Sequence, residues 1–383
     1  MSTVSTALNK FLAMEKVEGL LIIGDSICDP DMYYLSRFLA TDRFVLLGKD
    51  KITLLVSGME QCRAINESVA DEVTSTEDYG IKEKMETLKP EDAYIAVLKE
   101  FLSGHGVERV AVPKNFPAGI YLDLSDAFEV SVVKSPVKHW RSKKGADEIE
   151  AIRSVQKSCE AAMGEAVSLI ERSVPRGEYL YLDGLPLTSE RVRSAIDIKL
   201  LELGCEATGT IVSGGKSAAI PHDCGSGPLP ANSPIVIDIF PRSKKTRYYS
   251  DMTRTVLRGE APSDVIEMYN AVRKAQEAAI KTIRAGESGR AVHRRVCEIF
   301  DEEGFTERDE TGFIHSTGHG VGLEVHEEPH LSEAGELLEA GNVVTVEPGL
   351  YYPERGGIRI EDLILVTQHG YQNLTFFEKR LVV

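Results

Sequence analysis

IHSTGHGVGLEVHEEP, running from Ile314 to Pro329, sets three histidines and three acids among glycines in one short span. His315, His319 and His326 offer imidazoles, and Glu324, Glu327 and Glu328 offer carboxylates. Gly318, Gly320 and Gly322 remove side chains that would crowd an ion or a substrate, so the span reads as part of a metal site. It also holds a decoy. His326 to His330, HEEPH, matches HExxH, the zinc-protease signature, whose two histidines must share one face of a helix. Pro329 has no N–H to continue a helix and GHGVGLEV reads as extended, so the zinc-protease reading fails and His326 needs another role.

Outward from this span lie two acid-bearing segments. PIVIDI and RYYSDMTRTVL read as the two strands of a hairpin, and their pairing would bring Asp238 and Asp251 together. Carboxylates a few Å apart repel unless a proton or a cation sits between them. VVTVEPGLYYP and GGIRIEDLILVT alternate as half-buried strands do, and place Glu347 and Glu361 in apolar runs. Either glutamate alone could point to solvent. Facing inward together, they need a compensating cation. His222, in AAIPHD shortly before the Asp238 strand, reads as a surface histidine unless its neighbours bring ligands.

The chain of 383 residues, 42% hydrophobic, has material for about two domains. Its net charge of −16 argues against a nucleic-acid partner, which would demand clustered Lys and Arg. RSKKTR, Arg242 to Arg247, is the main basic run of the second half and reads as a solvated hairpin turn. No stretch approaches the roughly 20 apolar residues of a membrane span and no leader pattern opens the chain, so a cytoplasmic protein with no membrane partner is expected. Six scattered cysteines without CxxC pairs suit reduced packing thiols.

Residues 1–137 alternate strand and helix patterns, as in GLLIIG, ITLLVS and EDAYIAVLKEFL, and read as an α/β domain without chemistry. SPVKHWRSKK marks a boundary, and the helix GADEIEAIRSVQKSCEAAMGEAVSLI opens a second domain, residues 138–383. Gly215-Lys216-Ser217 mimics a phosphate loop, but a Walker loop needs a glycine where Thr210 stands. Helical patterns at Ser263–Arg284 and Gly289–Glu303 carry no chemistry, and His293 reads as structural.

IPHD, IDIF with SDMTRT, STGHGVGLEVHEEP, NVVTVEPGLYYP and GGIRIEDL stand in the order found in the pita-bread metallopeptidases, the family of prolidase, aminopeptidase P and methionine aminopeptidase, which residues Val137 to Val383 resemble. The N-terminal domain resembles that of the prolidase, aminopeptidase P and creatinase branch. The resemblance implies an α/β chain of two domains, a creatinase-like α/β domain and a pita-bread α+β catalytic domain. It implies that Asp238, Asp251, His319, Glu347 and Glu361 hold two divalent metal ions, Asp251 and Glu361 bridging them, with manganese first and cobalt, zinc or iron as alternatives. His222 and His326 match substrate-contacting histidines, and Arg359 matches an arginine that orients a ligand. Homodimers are common in the family.

The expected activity is hydrolysis of Xaa-Pro bonds in small peptides with proline second, by a metal-bridging hydroxide, with His326 on the oxyanion and Glu347 as proton shuttle. A prolidase-like dipeptidase leads, and aminopeptidase P-like cleavage of longer peptides is the alternative. A metal-free creatinase-like amidinohydrolase and a non-catalytic peptide-binding module are readings of other classes. Two departures stand out: the Asp238–Asp251 loop is somewhat long, and His330 stands where archaeal-type prolidases tend to carry an arginine for the dipeptide carboxylate.

Overall fold

The computed structural model describes residues 3–306 and 311–383, in two compact units, Met1–Arg141 and Ser142–Val383. The first unit is a six-stranded mixed sheet in the order Glu72–Ser75, Ile52–Val56, Phe44–Gly48, Gly19–Gly24, Arg109–Pro113, Glu129–Val133. GLLIIG is apolar throughout because both of its faces are covered. Leu20 and Ile22 pack with Leu8, Phe11 and Leu12 of the Thr3–Glu15 helix, while Leu21 and Ile23 pack with Val97, Leu98 and Phe101 of the Pro90–Gly104 helix.

In the second unit two helix pairs each back a sheet. Helices Ala146–Glu171 and Ser189–Glu202 share a core with the three-stranded sheet Ile211–Gly214, Ile235–Ile239, Met252–Val256. Helices Ser263–Thr282 and Gly289–Glu302 share another with the five-stranded sheet Glu327–Leu331, Gly318–Gly320, Val343–Val346, Asp362–Thr367, Gly370–Asn373. A short hairpin, Gly349–Tyr352 with Gly356–Arg359, completes the unit's site-bearing parts.

The period of two along each strand separates core from chemistry. Ile235, Ile237 and Ile239 enter the helix-side core, so Asp238 faces the other way. Val344 and Val346 do the same on the other sheet and leave Thr345, and Glu347 beyond it, on the open face.

Two expectations are refined. The HExxH segment is strand, Glu327–Leu331, as Pro329 required. RSKKTR does turn, with Lys244 and Lys245 exposed, but it is not solvated throughout: Arg242 Nε and Arg247 Nη1 donate to Glu206 Oε1 at 2.5 and 3.1 Å, and Arg247 is buried. The pairing of Cys205–Glu206 with Arg242–Ser243 brings that acid to the run, a contact across the chain that composition does not reveal. No helix among the described residues is long and apolar enough to cross a membrane.

Candidate metal centre

Register assembles the acids. Asp238 lies opposite Thr253 in the antiparallel pair, so Asp251, two residues from Thr253, projects on the same face. Val346 lies opposite Asp362, and one further step along that register sets Glu347 against Glu361, each just outside its strand. His319 occupies the middle of Gly318–Gly320, with its backbone N–H donating to Thr345 Oγ1 at 3.0 Å. Gly318 and Gly322 leave room for the protein's own atoms. A Cβ on Gly318 would stand 2.1 Å from the Thr345 carbonyl oxygen, and one on Gly322 2.2 Å from Glu327 Oε1.

Asp251, His319 and Glu361 present donor atoms that all lie within 4.8 Å of one another. Asp238 and Glu347 flank this trio but are turned to cationic neighbours. Arg359 Nη2 donates to Asp238 Oδ2 at 2.7 Å, and His319 Nε2 stands 3.2 Å from Glu347 Oε1. Asp238 Oδ1, Asp251 Oδ1 and Glu361 Oε1 are buried and have no protein hydrogen-bond partner among the described residues.

Burial, then the neighbouring Asp238 and Glu347 charges, pushes the Asp251 carboxyl well above the usual range. Burial, then Asp251, does the same to Glu361. Asp238 is raised by burial against the opposing pull of Arg359. Glu347 goes the other way: burial would raise it, but the hydrogen bond and charge of His319 hold it near 2. His319 is correspondingly raised, with Glu347 outweighing burial. Three orphaned carboxylate oxygens and one imidazole therefore fit a divalent cation, which supplies what the protein's own groups leave unmet.

A chain of donors the sequence did not disclose runs beside this cluster. Arg359 Nη1 donates to the Tyr351 hydroxyl at 2.9 Å, and that hydroxyl lies 2.9 Å from His315 Nε2. His315 Nδ1 is 2.7 Å from the Ser316 carbonyl oxygen, which can only accept, so Nδ1 carries the proton and Nε2 accepts from Tyr351. Burial keeps His315 neutral, lowering its pKa to about 4, and raises Tyr351 to about 12. Thr253 Oγ1 donates to Glu361 Oε2 at 2.8 Å and accepts from Arg359 Nε at 3.2 Å. Tyr351 could have been suspected only from its place four residues beyond Glu347 in VEPGLYYP; His315 carried no signal beyond its neighbours.

The remaining candidates line the rim. His326 is exposed as a residue but its ring is half covered, with its centroid 4.1 Å from that of His319, and this partial burial with the His319 charge lowers its pKa. His222 is exposed in the turn after Pro221, whose carbonyl accepts from Arg359 Nη1 at 3.3 Å. His330 lies opposite His319 in register, exposed, with Nδ1 3.7 Å from Glu336 Oε2. His293 is occupied elsewhere, its Nδ1 2.9 Å from Thr317 Oγ1.

The pattern of metallopeptidase family M24 matches residues 150–368, and that of the creatinase/prolidase N-terminal domain matches residues 6–143. An Xaa-Pro dipeptidase of Pyrococcus furiosus is 30% identical over 345 residues, covering 88% of each chain. The crystal structure of the prolidase from Pyrococcus horikoshii OT3 superposes with a TM-score of 0.81 at 26% identity, covering 99% of this chain and 100% of that one. An X-Pro aminopeptidase from Thermotoga maritima MSB8 superposes with a TM-score of 0.82, also at 26% identity and with the same coverage.

Proposed function

The chain belongs to metallopeptidase family M24 as a prolidase-like metallo-exopeptidase, and from that premise we propose that it hydrolyses Xaa-Pro dipeptides. In this reading Asp238, Asp251, His319, Glu347 and Glu361 hold two divalent ions, manganese first. The observation that carries it is the set of three buried, partnerless carboxylate oxygens beside His319. Divalent ions, when bound, supply a Lewis acid for the scissile carbonyl and an acidified water as nucleophile.

The chain's own residues do the rest. Glu347, ionised at neutral pH, takes the proton of the attacking water on a carboxylate oxygen and passes it to the leaving nitrogen. His326, kept neutral beside His319, donates an N–H to the carbonyl oxygen as charge develops there. His222, at the rim, orients the peptide. Arg359 holds Asp238 in place and is itself fixed by Tyr351. A Xaa-Pro amide has no N–H, and none of these roles requires one.

A prolidase and an X-Pro aminopeptidase both share this fold, so the fold does not decide peptide length, and this reading assigns that choice to the rim, where His330 stands. The test is product release from Ala-Pro and Ala-Pro-Ala by manganese-loaded protein, with a chelated control. Metal-dependent release of proline from the dipeptide is expected. Cleavage chiefly of the tripeptide would replace the dipeptidase reading with an aminopeptidase, and cleavage of neither would overturn both. A homodimer working in the cytoplasm completes the proposal, checked by light scattering and cell fractionation.

A further inference from the structure

Arg254, next in sequence to Thr253, shares the strand face of Met252 and Val256 and so points behind the centre rather than into it. It is fully buried, and a guanidinium there needs all five of its N–H donors met. All five are. Nη1 donates to the carbonyl oxygens of Thr253 at 2.9 Å and Glu361 at 2.6 Å. Nη2 donates to Asp362 Oδ1 at 2.9 Å and the Phe377 carbonyl at 2.8 Å, and Nε to the Glu378 carbonyl at 3.1 Å. The other Asp362 oxygen takes Lys379 Nζ at 2.6 Å and Asn373 Nδ2 at 2.9 Å.

The result is a planar fork spanning the strand that follows Asp251, the strand that follows Glu361, and the Phe377–Lys379 segment. Its consequence falls on Glu361. That residue is held at its carbonyl by Arg254, at its backbone N–H by the Thr253 carbonyl at 3.1 Å, and at Oε2 by Thr253 Oγ1. Among the described residues only Oε1 has no hydrogen-bond partner. A buried arginine–carboxylate pair gains little over apolar packing, because desolvation offsets its attraction. What the planar fork contributes is direction.

We propose that Arg254, Asp362 and the Phe377–Lys379 segment form a positioning clamp that presents Glu361 Oε1 to a divalent ion in a preset orientation, so that docking of this segment tunes metal affinity. The clamp rests on the reading of Glu361 as a metal ligand. The protein's own groups hold Glu361 at three points, so binding does not have to fix the carboxylate.

Calorimetric titration of chelator-stripped protein with manganese, on wild type, Arg254→Lys, Lys379→Met and Glu361→Gln, tests it. Arg254→Lys keeps the charge and loses the fork; about 10- to 100-fold weaker binding is expected, the usual cost of losing a ligand's orienting partner. Lys379→Met, at a partly exposed position, should weaken binding by a smaller factor. In both, kcat should return to the wild-type value at excess manganese, with KM for the dipeptide unchanged. A role confined to stability would lower the melting temperature of stripped protein without changing affinity, and that result in the folded variants would overturn the clamp. If Arg254→Lys does not fold, Lys379→Met decides alone, and wild-type affinity there overturns the proposal. If Glu361→Gln binds manganese as wild type does, the ligand reading fails and the clamp falls with it. If only Glu361→Gln loses affinity, the ligand reading stands and the clamp is wrong.

Discussion

Asp31 in the first unit and Asp251 in the second are both buried aspartates, 6% and 4% exposed, and the protein treats them in opposite ways. Asp31 is neutralised from within. Arg141 Nε stands 3.1 Å from its Oδ1, and Ser135 Oγ donates to Oδ2 at 2.5 Å. Asp251 faces Asp238 and Glu347, whose charges add to its burden, and the His319 imidazole beside it is 3.9 Å away and already engaged by Glu347. A fixed cation makes a buried acid structural; its absence leaves a charge that something from outside must meet.

Activity offers the largest break. Glu361→Gln should cut kcat/KM for Ala-Pro by roughly 10³-fold, about 4 kcal/mol, and remove at least one manganese by elemental analysis. Its stripped form should melt no lower than stripped wild type, since a repelling charge has gone. A stripped variant that melts well below wild type would place Glu361 with Asp31.

Arg141→Met is the mirror image. Leaving Asp31 uncompensated should cost roughly 3–5 kcal/mol in denaturant unfolding of the first unit. Manganese stoichiometry should not change. Loss of metal in this variant would erase the distinction between the two aspartates.

Stability against pH sharpens the contrast further. Asp251 and Glu361 have folded pKa values raised above 3.8 and 4.5 by burial, so their contribution is present below those values and lost as pH rises through the raised ones. Stripped protein should therefore melt progressively lower from pH 6.5 to 8, above the range in which the lowered His315 pulls the other way, and manganese should flatten the trend. Glu347, held near 2, has the opposite sign and contributes above 4.5, losing its contribution as pH falls toward 2. A stripped protein indifferent to pH between 6.5 and 8 would contradict the crowding of unmet carboxylates.

The smallest effect belongs to the donor chain. Tyr351→Phe removes the hydroxyl between Arg359 and His315 and should lower kcat about tenfold, the worth of one hydrogen bond of about 1.4 kcal/mol. Metal content should stay at the wild-type level. A variant that also loses metal would mean that Arg359 cannot hold Asp238 without Tyr351.

Much of the fold was legible because strand period and apolar runs are local. PIVIDI and SDMTRT announced the hairpin that aligns Asp238 with Thr253, and Pro329 alone dismissed the HExxH helix. The boundaries of the long helices were readable from their apolar spacing to within a few residues. Arg254 was not legible. It lies in a strand whose alternation says only that it faces the core, and four of its five acceptors come from residues more than 100 positions away. His315 and Tyr351 were silent for the same reason, since one hydrogen bond between residues 36 apart leaves no trace in either neighbourhood. The RSKKTR run misled because its partner, Glu206, is supplied by a distant strand.

The sequence by itself determined which side chains project on which face of each strand, because the two-residue period is built into the backbone and the apolar positions fix which face turns to the helices. It thereby named the acids and histidines from which a metal centre could be built. Tertiary structure alone decided which oxygens of those acids are already satisfied. Asp238 Oδ2 and Glu361 Oε2 are taken by Arg359 and Thr253, and Asp238 Oδ1, Asp251 Oδ1 and Glu361 Oε1 are left over. Hydrogen bonds form and fail over tenths of an ångström between segments that the chain order keeps far apart, and no local pattern carries that distance.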